Sequence, residues 1–176
     1  NEGGFRSFAD SGYVERAHGY GLQVWGVWDN FNYKNETGED ISTYQVLSST
    51  TKRQQLARNM VDTSLGLGLD GINLDYEGLP QECGEHYAQF LKELSVLCRE
   101  SGLVLSVDSY VPFNFNNHYR LDIQGRVADY VIIMGYDEHY AGGDAGSVAS
   151  ISYVKDGIEN TLKEVPKEKV INAVPF

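Results

Sequence analysis

Residues 69–78 read "LDGINLDYEG", and the alternation inside this stretch decides how the rest of the chain is read. Asn73, Asp75 and Glu77 take the odd positions, and Ile72, Leu74 and Tyr76 the even ones. Successive side chains of a strand point to opposite faces, so the pattern predicts a strand over residues 70–78. One face would carry two carboxylates and an amide, the other an apolar row. By itself the stretch leaves two readings open. A surface strand would hold the polar row in water. A covered strand would have to give its carboxylates partners or a chemical task.

The flanks bear on that choice. Leu65, Leu67 and Leu69 lead in among glycines, and a helical pattern follows from about Glu82. A strand followed by a helix is a βα unit, whose strands are usually covered on both sides. Upstream, "SGYVERAHG" (11–19) predicts a short helix capped by Asp10 or Ser11 and stopped by Gly19 and Gly21. "LQVWGVW" (22–28) reads as a strand, residues 29–43 as a long polar loop, and residues 50–65 as a helix. Downstream come a helix over 82–101 stopped by Gly102, a strand over 103–110, an aromatic and Asn-rich loop, and a brief helical turn. A strand over 130–136, a glycine-rich loop, a helix from Ile151 to Leu162 and a last strand over 170–176 complete the series.

Repeated βα units with short apolar strands indicate a parallel α/β sheet, either open and doubly wound or closed as a (β/α)₈ TIM barrel. Several strands finish in chemically capable residues, "WDN", "DYE", "DSY" and "GYDEH", and functional groups at many strand C-termini favour the barrel. Such a barrel takes about 250 residues. A chain of 176 residues with five visible strands is therefore expected to be an incomplete barrel forming a single domain over residues 1–176.

The formal charge of −11, from 25 Asp and Glu against 14 Lys and Arg with no basic run, argues against nucleic acid and anionic membrane as partners. No apolar run approaches a membrane-spanning length. The chain starts at Asn1 without an initiator Met or signal-like segment, so it is expected to be part of a longer protein. Cys83 and Cys98 fall at opposite ends of one helix, about 22 Å apart at ~1.5 Å per residue, which excludes their pairing. Cys98 lies in phase with Tyr87, Phe90, Leu91, Leu94 and Leu97 and reads as a core thiol. "NET" at Asn35 is a glycosylation sequon. The four histidines are too scattered for a metal centre, the calcium-loop glycine is absent, and no "GxxxxGK" phosphate loop occurs.

"LDGINLDYEG" resembles the catalytic strand signature of glycoside hydrolase family 18, a DGxDxDxE pattern at the end of the fourth barrel strand. The sixth-strand "MxYD" of that family has a counterpart in "MGYD" at 134–137. From there to "VINAVPF" the chain is most similar to the bacterial branch of spore-germination and cortex-lytic N-acetylglucosaminidases. The resemblance covers strands three to seven. It implies Glu77 as general acid/base, Asp75 as the carboxylate beside it, and Tyr136 and Asp137 as holders of the substrate's acetamido group. Asp70 opens the signature, and Asn73 stands where much of the family has Asp, which implies an altered pH dependence.

These residue types suit the implied chemistry. A 2-acetamido sugar supplies its own nucleophile, the amide oxygen attacking C1, so the protein needs one proton donor to the leaving oxygen. A covered Asp75 disfavours a second negative charge beside it and so keeps the proton on Glu77. Asp75 can also accept the acetamido N–H and steady the oxazolinium charge, and the Tyr136 hydroxyl can orient the attack.

Further binding candidates are Met134, for which barrel packing is the plainer reading, and Trp28, which either floors a sugar site or packs beneath the 29–43 loop. Tyr110 and His139 are weaker ones. The implied function is a retaining, substrate-assisted hydrolase of β-linked N-acetylglucosamine glycans, peptidoglycan or spore cortex before chitin, without cofactor. It would act outside the cell or at the bacterial envelope or spore. The alternatives are a non-catalytic carbohydrate-binding barrel and a divalent cation held by Asp75, Glu77 and Asp108. Open strand edges and an unfilled remainder of the barrel lead us to expect poor activity from the 176 residues alone.

Overall fold

The computed structural model describes residues 8–31, 33 and 38–175. The Asn35 sequon lies outside the described residues. Five strands, β1 (Trp25–Asp29), β2 (Gly71–Asp75), β3 (Val104–Tyr110), β4 (Tyr130–Met134) and β5 (Val170–Ala173), form one sheet in chain order. Every neighbouring pair is parallel. Six α-helices are described: α1 (Ser11–Gly19), α2 (Thr43–Leu47), α3 (Thr50–Gly66), α4 (Gly84–Ser101), α5 (Leu121–Val127) and α6 (Ile151–Thr161).

The helix ends follow their sequence signals. Asp10 caps α1, its carboxylate accepting the Gly12 N–H, and Ser49 and Ser150 cap α3 and α6. Gly102 ends α4 in the left-handed conformation, φ 72°, where a side chain would be strained. Helix α2 is an addition to the elements that the sequence pattern predicts, just past the 29–43 loop. A capping box starts it: the Ser42 hydroxyl accepts the Gln45 N–H while the Gln45 side chain accepts the Ser42 N–H.

The strands are shorter than the alternation suggests. β1 starts at Trp25 rather than residue 22 because the Val24 N–H is taken by the Asp70 carboxylate at 2.7 Å. β2, β4 and β5 end at 75, 134 and 173, so Glu77 and Tyr136 stand just beyond their strands.

The even face of the sheet is the main core. Ile72, Leu74 and Tyr76 are buried with Leu105, Val107, Val131 and Ile133 against Leu56, Met60, Phe90, Leu91 and Leu94 of α3 and α4. Cys83 and Cys98 join this core as free thiols, and burial pushes them up to about 11 and about 12. One charged contact locks α3 to α4: buried Arg53 donates to both Glu93 oxygens, at 2.9 and 3.0 Å, and to the Leu47 carbonyl at 2.7 Å. Partial burial would lift Glu93, yet the Arg53 bonds hold it below the usual carboxylate range.

The odd face turns inward. Trp25 of β1 stacks on Tyr130 of β4, ring centroids 5.4 Å apart, although two strands lie between them. Flat strands ~4.8 Å apart would separate β1 from β4 by roughly 14 Å. The contact therefore requires the sheet to curl toward this face, as an arc of a barrel does.

Candidate active site

The curled face carries its carboxylates in a row across strands as well as along one. Register sets Asp29 opposite Asp75, and Leu74 opposite Val107, which brings Asp108 of β3 next in line with Asp75. Asn73, on the same face one step deeper and 8 % exposed, donates Nδ2–H to Asp108 Oδ1 at 3.0 Å. Of the two opening readings of the polar row, the covered one holds.

Glu77 is held by two side chains, and the turn that follows it by two more. Asn30, just past β1, clamps its backbone: the Glu77 N–H donates to Asn30 Oδ1 at 2.9 Å and the Asn30 amide donates to the Glu77 carbonyl at 2.8 Å. The Tyr110 hydroxyl donates to Glu77 Oε2 at 2.7 Å and accepts the Gly78 N–H at 3.3 Å. The Tyr119 hydroxyl accepts the Leu79 N–H at 2.9 Å, and the His118 Nε2–H donates to the Leu79 carbonyl at 2.8 Å. Gly78 turns the chain here at φ 60°.

Burial raises Asp75 above the usual carboxylate range, with added repulsion from Glu77 and Asp29. Burial, then Asp75 and Glu77, lift Asp108 to about 7, the Asn73 hydrogen bond pulling the other way. The Tyr136 phenol is raised by burial first and then by Asp108, Asp75, Glu77 and Asp137, so its ring stands in the field of this cluster. Two buried acceptors in the row, Asn73 Oδ1 and Asp75 Oδ1, have no hydrogen-bond donor among the described residues. Such a pocket is short of hydrogens and suited to receive an N–H or a proton. Among the described residues no three His, Cys, Asp or Glu side chains are grouped to hold a metal ion.

The structure thus gathers Asn73, Asp75, Glu77, Tyr110 and Tyr136. Met134 pairs with Tyr110 in register and shares this face. Asp137 sits exposed at the rim in the left-handed conformation, φ 60°.

Three expected binding residues belong elsewhere. Asp70 is at the opposite end of β2, about 16 Å from Asp75 at ~3.3 Å per residue. There it accepts from Val24 N–H and pairs with His18 Nε2 at 2.8 Å, so it joins elements rather than contacting substrate. Trp28 pairs with Leu74 in register and packs on the helix-covered core, on the reverse face from the carboxylates. His139 stays with its own loop, Nδ1 donating to the Ser147 carbonyl at 2.8 Å. Asn30, Asp29, Tyr119 and His118 join the site beyond the sequence candidates. "WDN" at 28–30 signals the first two, and the aromatic and Asn-rich loop after β3 carries the other two.

A curled parallel sheet whose strand C-termini converge on paired carboxylates defines an arc of a (β/α)₈ barrel with a hydrolase-type acidic site. The family described as Glycosyl hydrolases family 18 matches residues 35–176, and the chain belongs to that family. A Bacillus subtilis protein provisionally named the sporulation-specific glycosylase YdhD is 32 % identical over 139 residues, 76 % of this chain and 33 % of that protein. Its crystal structure superposes with a TM-score of 0.87 at 27 % identity, over 97 % of this chain and 58 % of that one. The cortical fragment-lytic enzyme of B. subtilis is 28 % identical over 152 residues, 80 % of this chain and 34 % of that enzyme. A chitinase of Chromobacterium violaceum shares the fold, with a TM-score of 0.85 at 24 % identity over 98 % of this chain and 56 % of that one. The chain spans about a third to a half of the length of the curated relatives it matches.

Proposed function

We propose that residues 1–176 are part of a single catalytic barrel domain of a retaining, substrate-assisted glycosidase acting on β-linked N-acetylglucosamine glycans. Glu77 is the proton donor to the leaving oxygen and later the base that activates water. Asp75 accepts the acetamido N–H, turning the amide oxygen toward C1, and its charge faces the oxazolinium that forms. The Tyr136 hydroxyl binds the acetamido oxygen, with Asp137 at the rim.

The observation that carries this reading is the fixed Glu77 carboxyl, held by Tyr110 at 2.7 Å beside an Asp75 whose buried Oδ1 lacks a donor among the described residues. An acetamido N–H supplies that missing hydrogen. Glycans of spore cortex or cell-wall peptidoglycan are the proposed substrates, ahead of chitin. The support is the likeness to YdhD and to the cortical fragment-lytic enzyme. Such substrates put the proposed site of action outside the cell or in the spore, as part of a longer exported protein. No helix among the described residues is long and apolar enough to cross a membrane.

The test is turnover of cortex fragments and chitooligosaccharides by the full-length protein. Glu77→Gln is expected to lower kcat by about 10²–10⁴-fold, the range for a lost general acid. Equal turnover by the variant would reject the reading. Binding without cleavage by the unaltered protein would favour a carbohydrate-binding barrel instead.

A further inference from the structure

The along-strand neighbour of Asp75 on the inner face is an amide, Asn73, which can donate and accept hydrogen bonds but cannot take up a proton. The next carboxyl lies across the sheet. Asp108 follows Val107, the register partner of Leu74, so it comes next in line with Asp75 on a strand ~4.8 Å away. Asn73 fixes it by donating to Oδ1 at 3.0 Å. Asn73 Oδ1 and Asp75 Oδ1 are buried without donors among the described residues.

We propose that Asp108, held by Asn73, is the proton store of Asp75: a positioning residue that acts on the substrate only through that aspartate. The inference rests on the acid/base reading above. In the free site one proton is shared by the pair. When an acetamido N–H arrives, the proton leaves an Asp75 oxygen for an Asp108 oxygen. Asp75 is then the anion that accepts the N–H, and Asp108 is the neutral acid. On product release the proton returns, and nothing is oxidised or reduced.

The groups around Asp108 support this role. Burial and the charges of Asp75 and Glu77 bring it to about 7, against the hydrogen bond from Asn73. Its charge in turn reaches the phenols of Tyr87 on α4 and Tyr136 beyond β4. Among the described residues no cation acts on Asp108 or Asp75. Burial, Glu77 and Asp29 raise Asp75 whether or not residue 108 can ionise. Without a store, substrate binding at mildly acidic pH must therefore expel a proton into water.

The experiment is kcat/KM against pH for the full-length protein on chitooligosaccharides, comparing Asp108→Asn, Asn73→Asp and the double variant. The unaltered protein is expected to be flat on the acid side over the range in which the pair keeps one proton. Asp108→Asn is expected to bring the acid limb up into that range, losing about tenfold per pH unit below it. The double variant moves the carboxyl from β3 to β2 and is expected to restore the flat region. A profile for Asp108→Asn that superimposes on that of the unaltered protein overturns the proposal, as does a double variant no better than the single one. Should Asp108→Asn fail to fold, Asn73→Asp decides: a third carboxyl must move the limb, and an unmoved limb overturns the proposal. Turnover that ignores Glu77→Gln rejects the acid/base reading and this inference together. Turnover that needs Glu77 but ignores residue 108 rejects this inference alone.

Discussion

Tyr110 and Glu77 come from different strands and meet at 2.7 Å, the phenol at the end of β3 donating to the carboxyl just past β2. The same hydroxyl accepts the Gly78 N–H, so one side chain orients both the carboxyl and the turn that carries it. A hydrogen bond to a charged or acidic group contributes roughly 1.5–3 kcal/mol. Tyr110→Phe keeps the ring and its edge contact with Tyr119 while removing both bonds. We expect kcat of the full-length protein to fall about tenfold or more while the melting temperature shifts by only a few degrees. Equal kcat would show that Glu77 is oriented without Tyr110.

Asp70 lies at the other end of β2, where burial would raise it but the Val24 N–H and His18 hold it below the usual carboxylate range. A carboxyl lowered in the folded state stabilises above its unfolded value of about 4 and loses that contribution as pH falls through its folded value. Asp70→Ala is expected to lower stability at neutral pH, by an amount that shrinks below pH 4, and to leave KM unchanged. Thermal melts and steady-state kinetics on the full-length protein check both halves. A large rise in KM would return Asp70 to the substrate.

Asp108 has the opposite sign. Its carboxyl is raised to about 7 from an unfolded value near 4, so its contribution to stability is fully present below pH 4 and is lost as pH rises through 7. Asp108→Asn removes that dependence. The variant is expected to gain stability relative to the unaltered protein between pH 4 and pH 8, read from urea unfolding across that range. A difference that is constant with pH would contradict the raised carboxyl.

Arg53 and Glu93 hold α3 on α4 with side chains only 7 % and 18 % exposed. Arg53→Met leaves Glu93 without its partner and the Leu47 carbonyl without a donor. Breaking such a buried pair costs about 3 kcal/mol or more. Denaturant unfolding measures the loss, and a cost below about 1 kcal/mol would mean that water replaces the guanidinium.

Much of this architecture is legible in residue order, and the failures have local causes. Alternation in "INLDYE" gives both faces of β2 correctly because the even residues are fully buried and the odd ones line the curled face. It overruns the strand by three residues because nothing in a period-two pattern marks where ladder bonds yield to clamps such as Asn30. Trp28 was legible as a strand-end aromatic, but only its register with Leu74 reveals the face it takes. The Ser42–Gln45 capping box was present in "STYQ", though α2 is too short for periodicity to show it. Asp108 and Tyr110 lie more than thirty residues from the signature. Their place beside Asp75 and Glu77 comes from strand pairing, which no single-strand pattern contains.

Substrate assistance at the Asp75–Glu77 pair is the central step of the proposed reaction. The most direct measurement is the anomeric form of the first product, followed by proton NMR while the full-length protein cleaves a chitooligosaccharide or a cortex fragment. Double displacement through an oxazolinium predicts that the β-anomer of the new reducing end appears first and then mutarotates, with no signal from Glu77→Gln. First appearance of the α-anomer would mean direct attack by water and would contradict the account.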